Sequence, residues 1–188
     1  MNNFHRTVAI LLIICLAIGT GFLTDLIWSK IEERLHPQEY HEIIVKYAKE
    51  YNIPEYVLYA VIKTESSFNP KAKSSANAIG LMQMTEIAHT DTLAVLKDGT
   101  EFQDLYDPEI NIRHGACYLQ MMYRMFDHNW DTAFAAYNAG PTRVSSWLKD
   151  SEYSDGNGNL TKIPFEETKS YVSKVNKAIH TYKDLYYT

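Results

Sequence analysis

Glu65 is the residue whose type and position point most directly to chemistry. Over Pro54 to Phe68 the residues Leu58, Val61, Ile62 and Glu65 recur at i, i+3, i+4 and i+7, which predicts a helix with a carboxyl group on its apolar stripe. Pro54 suits the first turn of such a helix, and Asn69-Pro70 ends it. A carboxyl group placed there loses hydration, so its charged form is penalised and its pKa rises. It can then keep a proton near neutral pH and give it to a leaving group, which is general acid chemistry. The competing expectation for a lone glutamate at a helix end is one that reaches the surface or pairs with a lysine.

The residues C-terminal to Glu65 favour the acid. Ser66 is next to it, then come Ser74, Gly80-Leu81-Met82-Gln83-Met84 and, much later, Ala136-Tyr137-Asn138-Ala139-Gly140. Pro164-Phe165-Glu166-Glu167-Thr168 and Tyr171-Val172 stand near the end. This ordered set resembles the catalytic domain of the soluble lytic transglycosylase family, lysozyme-like enzymes that cleave peptidoglycan glycan strands. The resemblance runs from about His36 to Tyr182. It places Glu65-Ser66 at the family's catalytic glutamate and following serine, Gly80 to Gln83 and Tyr137-Asn138 at two of its cleft blocks, and Glu167 and Tyr171 in its closing segment. One departure is Met84-Thr85-Glu86, where many members have a hydrophobic residue, methionine and proline.

The resemblance implies a cleft in which Glu65 does the acid–base work. Ser74 and Gln83 would hydrogen-bond the N-acetyl groups or the reacting sugar, Tyr137 would orient the intermediate, Asn138 would secure the cleft wall, and Glu167 would contact substrate or brace the site. Ser66 and Tyr171 would give structural support, Gly80 would serve the loop, and Met82 would pack in the core. It also implies a non-hydrolytic cleavage between N-acetylmuramic acid and N-acetylglucosamine that leaves 1,6-anhydromuramyl ends. Ordinary glycosidases use two carboxyl groups, and no second acid stands out here. Asp91, Asp104 and Asp107 lie in polar, turn-like contexts that helix capping or solvation explains. A goose-type lysozyme activity would need an aspartate to hold water opposite Glu65. A glycan-binding module without turnover is the alternative of a different class.

Val8 to Leu23 is nearly all apolar and uncharged, and Leu26, Ile27 and Trp28 extend it toward the length of a membrane span. An uncleaved anchor over residues 1–28, a polar tether over 29–38 and a catalytic domain over 39–188 are expected, a cleaved signal peptide being the alternative. Arg6 before the segment and Asp25, Glu32 and Glu33 after it predict a cytoplasmic N-terminus and a domain on the outer face. Cys15 sits within the apolar run and Cys117 on an apolar helix face, so no disulfide within the domain is expected. The net charge of −5 argues against a nucleic-acid groove and is compatible with a neutral glycan partner.

Helical spacing recurs from Glu39 to Tyr51, from Asp107 to Phe126, from Trp130 to Asn138 and from Pro164 to Tyr182, with a short helix within Thr85 to Lys97. Asn69 to Met84 reads as a loop over a cleft. No strand alternation extends beyond a few residues, so the expected fold is all-α: a lysozyme-like helical domain with a substrate cleft, preceded by a transmembrane helix. Asp155, Asn157 and Asn159 outline a calcium loop, but Leu160 occupies the position that needs glycine, and a turn or small hairpin is expected instead. The seven histidines lack paired metal spacing, so neither a catalytic metal nor another cofactor is expected.

Overall fold

A computed structural model of the chain describes residues 3–187, apart from the side chains of residues 3, 5–7, 9 and 10. Arg6, on which the expected orientation in part rests, therefore lies outside the described side chains. The helices are α1 (Asn3–Leu35), α2 (His41–Tyr51), α3 (Glu55–Ser66), α4 (Glu86–Leu96), α5 (Pro108–Met125), α6 (Trp130–Ala139), α7 (Pro141–Trp147) and α8 (Glu166–Tyr186), with a 3₁₀ turn at Phe102–Tyr106. Among the described residues extended pairing is limited to isolated bridges, Lys73 with Ile79, Ile79 with Met84 and Ser154 with Leu160. The fold is all-helical, as the periodicity predicts.

Local chemistry sets the helix ends. Asp107 accepts from the N–H groups of Glu109 and Ile110 at 2.9 and 3.1 Å, and Pro108 opens α5, where a missing N–H costs nothing. Asn129 caps α6 through the Thr132 N–H at 3.0 Å, and Thr85 caps α4 through the Ala88 N–H at 3.2 Å. Asp104 accepts from the Glu101 N–H at 2.8 Å. Two of the three candidate second acids are thus committed to capping.

The core is a contiguous apolar cluster. Leu58 and Ile62 of α3, Ile112 and Leu119 of α5, Phe134 and Ala136 of α6, and Val175 and Tyr182 of α8 are all fully buried. Each such large side chain stabilises the fold by about 1.5–3 kcal/mol when removed from water. α3 packs along α8 more extensively than on any other helix, which carries its C-terminal end, and Glu65 with it, into the middle of the domain. Cys117 is buried, and burial pushes its thiol up to about 11, so it packs as an inert apolar group.

α1 runs without a break through the segment expected to be a tether, as far as Leu35. The chain beyond it is fastened to α8: Tyr182 donates to the Pro37 carbonyl at 3.0 Å and Tyr186 to the His36 carbonyl at 2.9 Å. Residues Leu11–Leu35 form a helix long and apolar enough to cross a membrane, with mean hydropathy 2.1 and none of its most apolar stretch buried against the domain.

Candidate active site

α3 ends because Ser67 and Phe68 both take left-handed backbone angles, with φ of 51° and 65°. The chain turns away immediately after Glu65-Ser66, and Ser66 ties the helix end to the next segment by donating to the Leu81 carbonyl at 2.8 Å. Glu65 keeps part of its surface open, yet its carboxyl is densely surrounded. Burial raises its pKa from the ordinary 4.5 to about 7, opposed by the Tyr171 hydroxyl, which favours the carboxylate. Tyr171 is buried and its hydroxyl has no partner within hydrogen-bond distance, so the approach to Glu65 falls short of a formed bond.

The segment after Ser66 is held from below. Gly80 adopts φ +77°, and a Cβ there would sit 2.0 Å from Asn111 Nδ2 and 2.4 Å from the Leu105 carbonyl, so only glycine fits. Asn111 is fully buried: its Oδ1 accepts the Met82 N–H at 2.7 Å, and its Nδ2 donates to Ile79 and Leu105 carbonyls at 3.1 and 2.7 Å. Met82 is buried in the core beside Gly115, as expected. Tyr137 of α6 donates to the Met82 carbonyl at 2.8 Å, which fastens α6 to the same loop.

A cleft of about 830 Å³ opens between α4 and the α6–α7 corner. Gln83, Tyr137 and Asn138 line it together with Asp91, Tyr118 and Arg143. Glu65 is not a wall residue of this cavity; it adjoins it through Tyr137, whose ionisation Glu65 and burial both oppose. Gln83 spends its Nε2 on the Gly80 and Ala72 carbonyls at 2.9 and 3.3 Å, which leaves Oε1 as the free acceptor. Ser74 accepts the Ala78 N–H at 3.1 Å and so keeps its own proton to donate, but it does not line the cavity. Glu167 is exposed on the first turn of α8 and does not line the cleft.

The structure thus gathers Glu65, Ser66, Gly80, Met82, Gln83, Tyr137, Asn138 and Tyr171 into one region and leaves Ser74 and Glu167 outside the cavity. Asn111 escaped the sequence reading, although a polar residue on the stripe shared by Gly115 and Met122 was a signal that could have found it. Asp91 also differs from its expectation: it lies within α4 and lines the cleft. Asp155 accepts from the Asn157 and Asn159 N–H groups at 2.7 and 3.1 Å and closes the small turn expected there. A separate groove of about 620 Å³, walled by Asn52, Tyr123 and Trp130, contains none of the candidate site residues.

A carboxyl with a raised pKa at the end of a helix, beside a polar, tyrosine-walled cleft, defines an all-helical domain suited to general acid catalysis. The family model described as Transglycosylase SLT domain matches residues 42–159, and the chain belongs to that family. It is 38% identical over 152 residues to the soluble lytic murein transglycosylase of Escherichia coli K12, covering 79% of this chain and 23% of the relative. It is 28% identical over 183 residues to the membrane-bound lytic murein transglycosylase C of Shigella sonnei, covering 85% of this chain and 50% of the relative. Among solved structures it resembles the complex of the 70 kDa soluble lytic transglycosylase with bulgecin A, with TM-score 0.76 and 35% identity over 86% of this chain and 26% of that one. The lytic transglycosylase Slt of Pseudomonas aeruginosa, solved as an inactive glutamate-to-glutamine mutant, gives TM-score 0.71 and 33% identity over 79% of this chain and 24% of that one. The chain spans about a quarter of the length of the soluble relatives it matches.

Proposed function

We propose that the protein is a peptidoglycan lytic transglycosylase in which Glu65 is both acid and base. The observation that carries this reading is the Glu65 carboxyl at the end of α3, with its pKa raised to about 7, beside the cleft walled by Gln83, Tyr137 and Asn138. A group with that pKa is protonated often enough to donate and basic enough, once ionised, to take a proton back. Glu65 protonates the glycosidic oxygen between N-acetylmuramic acid and N-acetylglucosamine as the bond from the anomeric carbon breaks. The muramyl N-acetyl oxygen assists at that carbon. The Glu65 carboxylate then removes the proton of the muramyl 6-hydroxyl, whose oxygen closes onto the same carbon. The acid is regenerated, no water is consumed, and the strand carries a 1,6-anhydromuramyl end. Tethering of the 6-hydroxyl within the sugar favours this closure over attack by water.

In this reading Gln83 Oε1 accepts an N-acetyl N–H, Ser74 donates to an N-acetyl carbonyl, Tyr137 holds the intermediate and Asn138 shapes the wall, while Glu167 contacts substrate at the edge. The P. aeruginosa relative, inactive as a glutamate-to-glutamine mutant, supports a mechanism that depends on one glutamate. Residues 1–28 act as an uncleaved anchor, 29–38 join it to the domain, and the domain over 39–188 works on the outer face. The long apolar α1 and the similarity to a relative named as membrane-bound support that placement.

Asp91 favours one further reading. A carboxylate lining the cleft could hold water and make the enzyme a hydrolase of the goose-lysozyme type. Mass spectrometry of the products that the full chain in detergent releases from purified peptidoglycan decides between them, with Glu65→Gln in parallel. Anhydromuramyl ends lost in Glu65→Gln establish the transglycosylase. Reducing ends lost in Asp91→Asn establish the hydrolase. Glycan binding without release by wild type would overturn both.

A further inference from the structure

Arg143, in the α7 wall of the cleft, is a charged group with no charged partner among the described residues. Its Nη1 donates to the Ala139 carbonyl at 3.3 Å, and its guanidinium carbon lies 5.0 Å from the centroid of the Phe165 ring. Phe165 is itself set edge-on against buried Trp147 at 5.3 Å. One neutral acceptor and one aromatic face therefore fix where the guanidinium sits, and neither neutralises it. Among the described residues no carboxylate lies within ion-pair distance of it. The acid that lines the same cleft, Asp91, stands on the α4 wall. Most of the five donors of the guanidinium fork are unspent, in the planar geometry that matches a carboxylate. In a chain of net charge −5, a fixed and unpaired arginine is where an anionic group would be drawn into the cleft.

We propose that Arg143 binds a substrate carboxylate and so selects which glycan strands the cleft accepts. The inference rests on the glycan-cleaving reading above. On a muramyl residue that carboxylate has two sources: the peptide stem, or the lactyl ether itself once the stem has been removed. Plain N-acetylglucosamine units offer neither. Arg143 thus supplies binding energy that distinguishes muramyl-containing strands, without touching the bond that breaks.

The test is steady-state cleavage by the full chain in detergent, as wild type, Arg143→Gln and Arg143→Lys, on three strands: with stems, with stems removed by an amidase, and with stems removed and the lactyl carboxylates converted to amides. Arg143 is exposed, so the variants should fold, and thermal melts check this. A charge-assisted contact predicts KM raised roughly 10- to 100-fold in Arg143→Gln with kcat little changed, and partly restored in Arg143→Lys. A loss confined to stem-bearing strands assigns the stem carboxylate. A loss on stripped strands that amidation abolishes assigns the lactyl carboxylate. Unchanged kinetics on every strand, or an equal loss on all three including the amidated one, would overturn the inference and leave the cleavage reading standing. Failure of wild type to cut any strand would bring down the cleavage reading, and this inference with it.

Discussion

Asn111 on α5 holds the backbone of Met82, 29 residues earlier in the chain, by accepting its N–H at 2.7 Å. The same amide donates to the Ile79 and Leu105 carbonyls, so one buried side chain fixes the loop that supplies Gln83 and receives Tyr137. Asn111→Ala leaves the Met82 N–H and the Leu105 carbonyl unpaired in the interior, while the Ile79 carbonyl keeps the Met84 N–H at 3.0 Å. The expected cost is about 2–6 kcal/mol, from roughly 1–3 kcal/mol for each of the two unsatisfied groups. Chemical denaturation measures it, and a loss below about 1 kcal/mol would show that the loop stands without Asn111.

Glu65→Gln should separate stability from activity. The folded pKa of Glu65 lies above its ordinary value, so the proton is held more tightly in the folded state. Its favourable contribution is therefore complete below about pH 4.5 and lost as pH rises through about 7. The glutamine variant does not titrate. It should melt with a stability close to wild type near pH 4, and be more stable than wild type by about 2–3 kcal/mol at pH 8. Cleavage should fall by roughly 10²-fold or more at every pH. Equal melting of the two proteins at pH 8 would mean that the carboxyl is not desolvated.

Tyr171→Phe removes the group that pulls the Glu65 pKa down, so that pKa should rise further. The pH dependence of cleavage should move toward higher pH. Because the Tyr171 hydroxyl is buried without a hydrogen-bond partner, its removal should leave stability unchanged or slightly increased. A shift toward lower pH, or a destabilised fold, contradicts the geometry.

Gly115→Ala tests the packing of Met82. A Cβ at Gly115 would lie 2.3 Å from Met82 Sδ and 2.7 Å from Met82 Cβ, so the gain in helix propensity is outweighed by overpacking. The expected cost is about 1–3 kcal/mol. A thermal melt shows it, and cleavage should weaken as well because Met82 carries the carbonyl to which Tyr137 bonds.

The helical elements, and the choice of Glu65 as the proposed acid, were legible from local sequence. Period and caps are local: Asp107 and Asn129 cap the helices that begin beside them, and Glu65 falls on the stripe of Leu58 and Ile62 because three to four residues make one turn. The order of Glu65, Gln83 and Tyr137 was likewise legible as a resemblance. The remaining features depend on contacts between distant segments. The desolvation of Glu65 requires α8 to lie along α3 and bring Tyr171 to it. Asp91 faces the cleft because the loop held by Asn111 places α4 opposite the α6–α7 corner, and its polar sequence context could not distinguish that from solvation. The docking of His36 and Pro37 onto Tyr186 and Tyr182 joins residues 150 and 145 positions apart. Hydrogen bonds and burial of this kind arise from shape closing on itself, which no window of neighbouring residues contains.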